Sequence, residues 1–495
     1  MSPLPEHPRT TIVNGDRSVP VSVDHFINGQ RIASAHTFED RSPLDWDLVL
    51  ANVSRGDAAE ADAAITAAGE AFPAWAALGP AGRGPIMRRL ADLIDAHVED
   101  IAAVECMDMA MLHESLRLRV IGRSARNFRA YADLAEQYQE RVWSSNGTVN
   151  RVIRMPAGPT VVITPWNAPF MLSTWKCAPA LAAGNTVVLK PAEWSPLSVS
   201  LLADLCVLAG FPPGVFNVVQ GIGEEVGAAL VNDLRVRRIS FTGSPETGRI
   251  IGVAAARNLV PFTAELGGKG PFIVLDDADL DIAAKQAAVM FDDSGQVCLA
   301  GTRLLVQEGV RDEFLRLFHT YTDAHVLGDS RDPGTTMAPL IHPEHLARVA
   351  GFVDRARTAG DTVVRGGRIW RDGGLWYEPT VIEPTSNDSD IVQHEVFGPV
   401  VTVQTFATDD DGIALANSTA YGLSAMIFTA SAERADHLGR AVRAGTTWVN
   451  TFLVRDLTAP FGGMGISGIG REGGDYALDF CSDLKTLQIV EGSVS

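Results

Sequence analysis

Cys298 stands in the run Ser294-Gly295-Gln296-Val297-Cys298-Leu299, and thirty-three positions upstream is Glu265, in Glu265-Leu266-Gly267-Gly268-Lys269. A thiolate is a strong nucleophile towards a carbonyl carbon, and a carboxylate can take the proton of a thiol or of a water. Earlier in the chain, Thr164-Pro165-Trp166-Asn167 supplies a side-chain amide able to donate a hydrogen bond to the oxyanion that such an addition creates. The three groups together suit acyl transfer through a covalent thioester. A cysteine met alone reads more readily as a small buried core residue. The company of Glu265 and Asn167 turns the reading towards chemistry.

These residues need a scaffold, and the pattern of the chain describes one. Phe26-Ile27-Asn28-Gly29-Gln30-Arg31-Ile32 places Asn-Gly between apolar flanks, the signal of a two-residue hairpin. Apolar residues at helical spacing predict helices from Asp57 to about Phe72, from Ala81 to Met107 and from Glu114 to about Gln137. The last of these carries Arg117, Arg119, Arg123, Arg126 and Arg129, most of them expected in solvent. From Pro159 onward, β-branched runs at 160–163, 186–189, 215–219 and 238–241 alternate with helices, the βαβ signature of a parallel, doubly wound sheet. A second α/β section follows from 271–275 through 303–306 to 446–450. Lys190 and Glu193 fall at the carboxyl end of the 187–189 strand, where open α/β sheets bind ligands and where both side chains could reach ribose hydroxyls. Gly221-Ile-Gly-Glu-Glu-Val-Gly227 is only a loose glycine fingerprint and reads equally as a turn opening a helix.

A chain of 495 residues exceeds one hydrophobic core and predicts two or more domains. Its net charge of −19 argues against nucleic acid and anionic membrane as partners. The five cysteines are widely spaced without a paired C-x-x-C, which suits a reducing cytoplasm and offers no zinc site. No stretch reaches the roughly 18 apolar residues of a membrane span. His342 and His345 lie three apart in Ile341-His-Pro-Glu-His345 without a cluster of carboxylates or cysteines nearby, so no metal is expected and both read as surface histidines.

The E-L-G-G-K and G-Q-x-C motifs, in this order, resemble those of the aldehyde dehydrogenase superfamily, and the resemblance runs from about Phe26 to Ile489. It implies two doubly wound α/β domains plus a small β oligomerisation element: an NAD-binding domain at 1–135 and 153–265, a catalytic domain at 266–470, and a bridging segment at 136–152 and 471–495. It implies NAD as cofactor, with contacts at Trp166, Lys190, Glu193, Gly243, Ser244, Glu395 and Phe397, the last two within Glu395-Val396-Phe397-Gly398-Pro399. An aldehyde gives up hydride readily only from a tetrahedral adduct. Cys298 is therefore implied as nucleophile, Asn167 as oxyanion donor and Glu265 as the base for thioester hydrolysis. A homodimer or homotetramer is implied as well. The presence of both Cys298 and Glu265 disfavours a catalytically silent binding or structural paralogue, and Glu265 disfavours transfer of the acyl group to CoA.

For the substrate, Trp448-Val-Asn-Thr-Phe-Leu-Val-Arg455-Asp456-Leu457 looks like the 2-hydroxymuconate and 2-aminomuconate semialdehyde dehydrogenase branch, where Arg455 replaces the aromatic of many broad-range relatives. Arg123 falls on that branch's other carboxylate-binding arginine. The segment Pro169 to Lys176, with Met171, Leu172 and Trp175, looks closest to 5-carboxymethyl-2-hydroxymuconate semialdehyde dehydrogenases. Both resemblances imply an aldehyde that also bears a carboxylate; the alternative is a broad-range aliphatic or aromatic aldehyde dehydrogenase. Gly465, Cys177 and Ala168 depart from some members of the branch.

Overall fold

Asn28 and Gly29 lie at φ of 52° and 79°, so the Asn-Gly pair forms the left-handed turn its sequence predicts and joins β1 (His25–Ile27) to β2 (Gln30–Ile32) as an antiparallel hairpin. The computed structural model describes residues 21–490. The four expected β-branched runs become the parallel strands β3 (Thr160–Ile163), β4 (Val187–Lys190), β5 (Phe216–Val218) and β6 (Arg238–Thr242), and a fifth that the pattern did not single out, β7 (Phe262–Glu265), joins them. They are buried on both faces because helices cover both. The sheet has eight strands in the order Gly468–Ile469, β7, β6, β3, β4, β5, β1, β2. Chain order runs one way from β3 through β4 to β5 and the other way from β6 to β7. The topological switch therefore falls between β3 and β6, where a crevice opens beyond the strands' carboxyl ends.

A second, seven-stranded sheet is built from β8 (Pro271–Val274), β9 (Arg303–Gln307), β10 (Thr362–Arg365), β11 (Thr380–Glu383), β12 (Val400–Phe406), β13 (Ser424–Phe428) and β14 (Thr446–Val449), in the order β10, β11, β12, β9, β8, β13, β14. Only β10 runs antiparallel to its neighbour. The late strand Gly468–Ile469 leaves this half and pairs antiparallel with β7, so the end of the chain closes the edge of the first sheet. A third sheet joins Arg141–Ser145, Thr148–Pro156 and Ser482–Val490.

One helical expectation needs correction, and a second holds with an added detail. The segment 81–107 is not one helix but part of two, Gly79–Ala96 and Val98–Met109, which meet at His97 with φ −114° and ψ 21°. The second is almost wholly buried, so its apolar spacing continues across a break that periodicity cannot register. The segment from Glu114 contains a π-helical turn, Leu116–Val120, before α1 (Ile121–Gln137) begins. The glycines at 221–227 open a short π turn at Gly223–Gly227 and a helix of five residues, Ala228–Asn232. Three more helices bear on the site: α2 (Pro169–Ala183), α3 (Pro245–Asn258) and α4 (Pro343–Thr358). Among the described residues no helix is long and apolar enough to cross a membrane.

Candidate active site

Cys298 lies on an irregular loop after the short helical turn Val289–Phe291. The loop is pinned by its own side chains: Ser294 donates to the Ala338 carbonyl, while Gln296 donates to Pro339 O at 3.3 Å and accepts from Ile341 N at 3.0 Å. Ser294 and Gly295 both adopt positive φ, and a Cβ at Gly295 would fall on the Gly398 backbone. Of the five cysteines, Cys298 alone is half-exposed; the other four are buried. The sulfur's surroundings are nonetheless dry. Burial pushes the thiol up to about 12, Glu395 and Glu265 add to that shift, and the Arg455 guanidinium opposes it. The same loop carries Asp292, whose carboxyl burial and neighbouring Asp293 push up to about 7.

The structure brings the other two groups to this loop. Asn167 follows β3, and its Nδ2 donates to the Gln296 carbonyl at 2.8 Å, two residues before the cysteine. Glu265 ends β7, and the glycine turn after it passes so close to the nucleophile that a Cβ at Gly268 would collide with the Cys298 carbonyl. Both Glu265 carboxyl oxygens are buried with no hydrogen-bond partner among the described residues. Burial holds this carboxyl well above the usual carboxylate range, and the charge of Glu472 raises it further against the pull of Lys176, Arg471 and Arg455.

Around the switch-point crevice, Lys190 Nζ and Glu193 Oε2 pair at 2.7 Å, the lysine buried and the glutamate about one-third exposed. Gly243 and Ser244 follow β6; Ser244 caps α3 by accepting from Thr247 N at 3.1 Å. Across the crevice Glu395 Oε1 accepts from Gly268 N at 2.8 Å, and burial raises its carboxyl to about 7. Phe397 meets the Trp166 ring edge-on at 5.2 Å. A lysine–carboxylate pair, an α-helix N-terminus and a second carboxylate beside the nucleophile thus border one crevice at a topological switch. That set of donors and acceptors fits a dinucleotide.

The sequence profile of the aldehyde dehydrogenase family matches residues 31–487. The chain belongs to that family. The enzyme is an NAD-dependent aldehyde dehydrogenase. It is 39% identical over 481 residues to the 2-hydroxymuconic semialdehyde dehydrogenase of Pseudomonas sp. (strain CF600), covering 94% of this chain and 99% of that protein. It is also 39% identical over 476 residues to a betaine aldehyde dehydrogenase of Cereibacter sphaeroides, covering 96% and 95% of the two chains. An indole-3-acetaldehyde dehydrogenase of P. syringae, solved with NAD+ and IAA, superposes with a TM-score of 0.94 at 36% identity, covering 97% of this chain and 99% of that one.

Behind Glu265 the dehydrogenase holds a buried ion pair that its sequence did not announce. Lys176 Nζ meets Glu472 Oε1 at 2.5 Å, and Trp175 Nε1 donates to Glu472 Oε2 at 2.6 Å. Lys176 is visible as the end of the 169–176 segment, but Glu472 lies almost three hundred residues away and only the fold joins them. The histidines also need correction. His345 is buried, and half-buried His342 stacks on Trp194 at 4.4 Å with an interplanar angle of 4°, so neither is a simple surface residue. Trp166, Trp194, His345 and Phe397 form a continuous ring cluster bordering the crevice.

Of the residues expected to meet substrate, Trp175 is buried on α2, with Met171 and Leu172 half-buried one turn earlier. Arg123 and Arg455 converge on it, their Cζ atoms 5.7 and 5.5 Å from the Trp175 ring centroid, and Arg455 also lies 3.7 Å from that of Phe461. Burial lowers both guanidiniums, Arg123 to about 10. Asp456 does not pair with Arg455; it accepts from Thr458 N and Oγ1 at 2.9 and 2.7 Å.

Proposed function

We propose that the enzyme oxidises an aldehyde bearing a carboxylate, of the muconate-semialdehyde type, to the corresponding diacid. One observation carries this reading: two largely buried guanidiniums face a single tryptophan, Arg123 Nε has no partner, and neither arginine forms an ion pair among the described residues. Burying a cation without a counter-charge is costly, and two together repel each other, so the pocket is stabilised by an anion that can take parallel hydrogen bonds from both forks. The named activity of the Pseudomonas relative supports the same class. Met171, Leu172 and Trp175 give the apolar wall between that anion and the nucleophile.

In the proposed reaction Cys298 attacks the aldehyde carbon. A thiol near 12 is almost entirely protonated at neutral pH, so its proton must leave as the bond forms, and Glu265, whose burial raises its carboxyl and makes it a better base than an exposed one, is the group assigned to take it. The oxyanion is received by the Cys298 N–H and by Asn167, whose amide carries two hydrogens and spends only one on Gln296. Lys190, Glu193, Gly243, Ser244, Trp166, Glu395 and Phe397 hold NAD, which supplies the hydride acceptor when bound. Once the thiol proton has passed on to solvent, Glu265 takes a proton from the water that cleaves the thioester. The exposed apolar residues Ile250 and Val253 on α3, and Leu484 and Val490 on the third sheet, support a homodimer or homotetramer. The buried free cysteines support a reducing, cytoplasmic setting.

The test is kcat/KM by NADH formation for a carboxylated semialdehyde and for hexanal. Each charge-assisted hydrogen bond contributes about 1.5–3 kcal/mol, so Arg455→Ala or Arg123→Ala lowers kcat/KM for the carboxylated substrate by roughly ten- to a hundredfold, at about 1.4 kcal/mol per tenfold, and affects hexanal much less. Equal losses on both substrates, or a wild-type preference for hexanal, would refute the substrate class and leave a broad-range aldehyde dehydrogenase.

A further inference from the structure

Helix α4 turns His345 and Arg348, three residues apart and so on one face, towards the loop Glu395-Val396-Phe397. Between them they take three consecutive carbonyl oxygens. Arg348 donates to Glu395 O at 2.7 Å and to Val396 O, and His345 Nε2 donates to Phe397 O at 2.7 Å. Burial lowers the His345 imidazole to about 4, so the donor is the N–H of a neutral ring. From the opposite side Gly268 N–H holds the Glu395 carboxylate, and a Cβ at Gly267 would occupy that carboxylate's place. Phe397 sits at φ 60°, a left-handed conformation that a bulky aromatic keeps only when its surroundings impose it.

We infer that His345 and Arg348 are positioning residues that lock this loop, holding Glu395 against the Gly267-Gly268 turn and Phe397 against Trp166, and thereby set where the cofactor's reactive end lies relative to Cys298. The inference rests on the proposed assignment of Glu395 and Phe397 to the cofactor. One carbonyl contact would leave the segment free to pivot, whereas three in succession fix the orientation of adjacent peptide planes. The planar fork of Arg348 can span two carbonyls, which a single ammonium would do less well. Among the described residues no other side chain of α4 donates to these three oxygens, so the restraint is concentrated in two residues.

Four variants, Arg348→Met, Arg348→Lys, His345→Leu and His345→Gln, test this by NAD affinity, read from tryptophan fluorescence since Trp166 touches Phe397, and by the ratio of the NADH burst to NAD-free hydrolysis of an activated ester. Arg348→Met weakens NAD binding at least tenfold and lowers the ratio at saturating NAD at least tenfold, with partial recovery in Arg348→Lys. His345→Gln keeps a donor and stays near wild type, whereas His345→Leu falls. Wild-type affinity and ratio in Arg348→Met would overturn the inference, as would a proportional loss of ester hydrolysis, which marks a general structural defect. Glu395→Gln separates the two levels. Unchanged NAD affinity there overturns the assignment of the loop to the cofactor, and the lock with it; weakened affinity beside wild-type behaviour in Arg348→Met overturns the lock alone.

Discussion

Replacing Glu265 by glutamine removes a proton acceptor with almost no change of shape, and because neither carboxyl oxygen has a hydrogen-bond partner among the described residues, no bond seen there is broken. General-base assistance is worth about 10²- to 10⁴-fold, or about 2.7–5.4 kcal/mol in barrier height. Thioester hydrolysis slows by that factor. Stopped-flow measurement shows a burst of NADH followed by a slow steady state, and mass spectrometry shows the acylated enzyme accumulating. In the wild type, hydrolysis rises with pH through the raised value of Glu265, since only the carboxylate accepts the proton. Stability moves the other way. The folded carboxyl keeps its proton above the unfolded value of about 4.3, so stability is fully present below that pH and declines by about 1.4 kcal/mol per pH unit until the folded group has ionised. Glutamine does not ionise, and its buried amide is left as unpartnered as the protonated carboxyl it replaces. Glu265→Gln therefore starts near the wild-type stability at about pH 4 and gains on it as pH rises. Undiminished turnover without a burst, or a stability difference that does not change with pH, would refute this reasoning.

Cys298→Ala abolishes NADH formation and leaves NAD affinity near wild type; retained turnover would remove the nucleophile assignment. Glu193→Ser narrows the preference for NAD over NADP, because a carboxylate beside the ribose would repel a 2′-phosphate, and comparable kcat/KM for both cofactors in the wild type would contradict it. Asp40 and Asp108 are buried together and hydrogen-bond to each other, which requires a proton shared between the two carboxyls; burial raises both, with Asp108 adding to the shift of Asp40. They therefore destabilise the fold as pH climbs above about 3.9. Asp108→Asn can donate to Asp40 and flattens that decline in thermal denaturation curves; an unchanged pH slope would count against a shared proton.

Legibility from sequence followed the range of the interaction that decides each feature. The Asn28-Gly29 hairpin is local chemistry and was readable. Asn146-Gly147, with φ of 52° and 72°, is the same signal joining two strands of the third sheet, which resemblance alone had supplied. Strands β3 to β6 were readable because burial on both faces leaves runs rich in β-branched residues, whereas β7, Phe262-Thr-Ala-Glu265, alternates apolar and polar residues over only four positions and was not. The break at His97 and the π turn at Leu116–Val120 were not, because apolar spacing persists through both. The grouping of Cys298, Glu265 and Asn167 followed from motifs, whereas the Lys176–Glu472 pair and the His345 and Arg348 contacts exist only after distant helices and loops meet.

The strand Gly468–Ile469 has a consequence for biosynthesis. It pairs with Ala264 and Glu265, and the chain on either side of it brings Gly462 against the Glu265 carboxyl and carries Glu472 to Lys176. A nascent chain emerging from the ribosome at about 5–20 residues per second exposes the thiol-bearing loop well before these last segments exist. Until they arrive, Glu265 sits at an open sheet edge, in water, with an ordinary acidity and little strength as a base. The shell that dries the carboxylate is thus supplied by residues 462–472, so a chain shortened before them would carry the cysteine with Glu265 left at an open sheet edge.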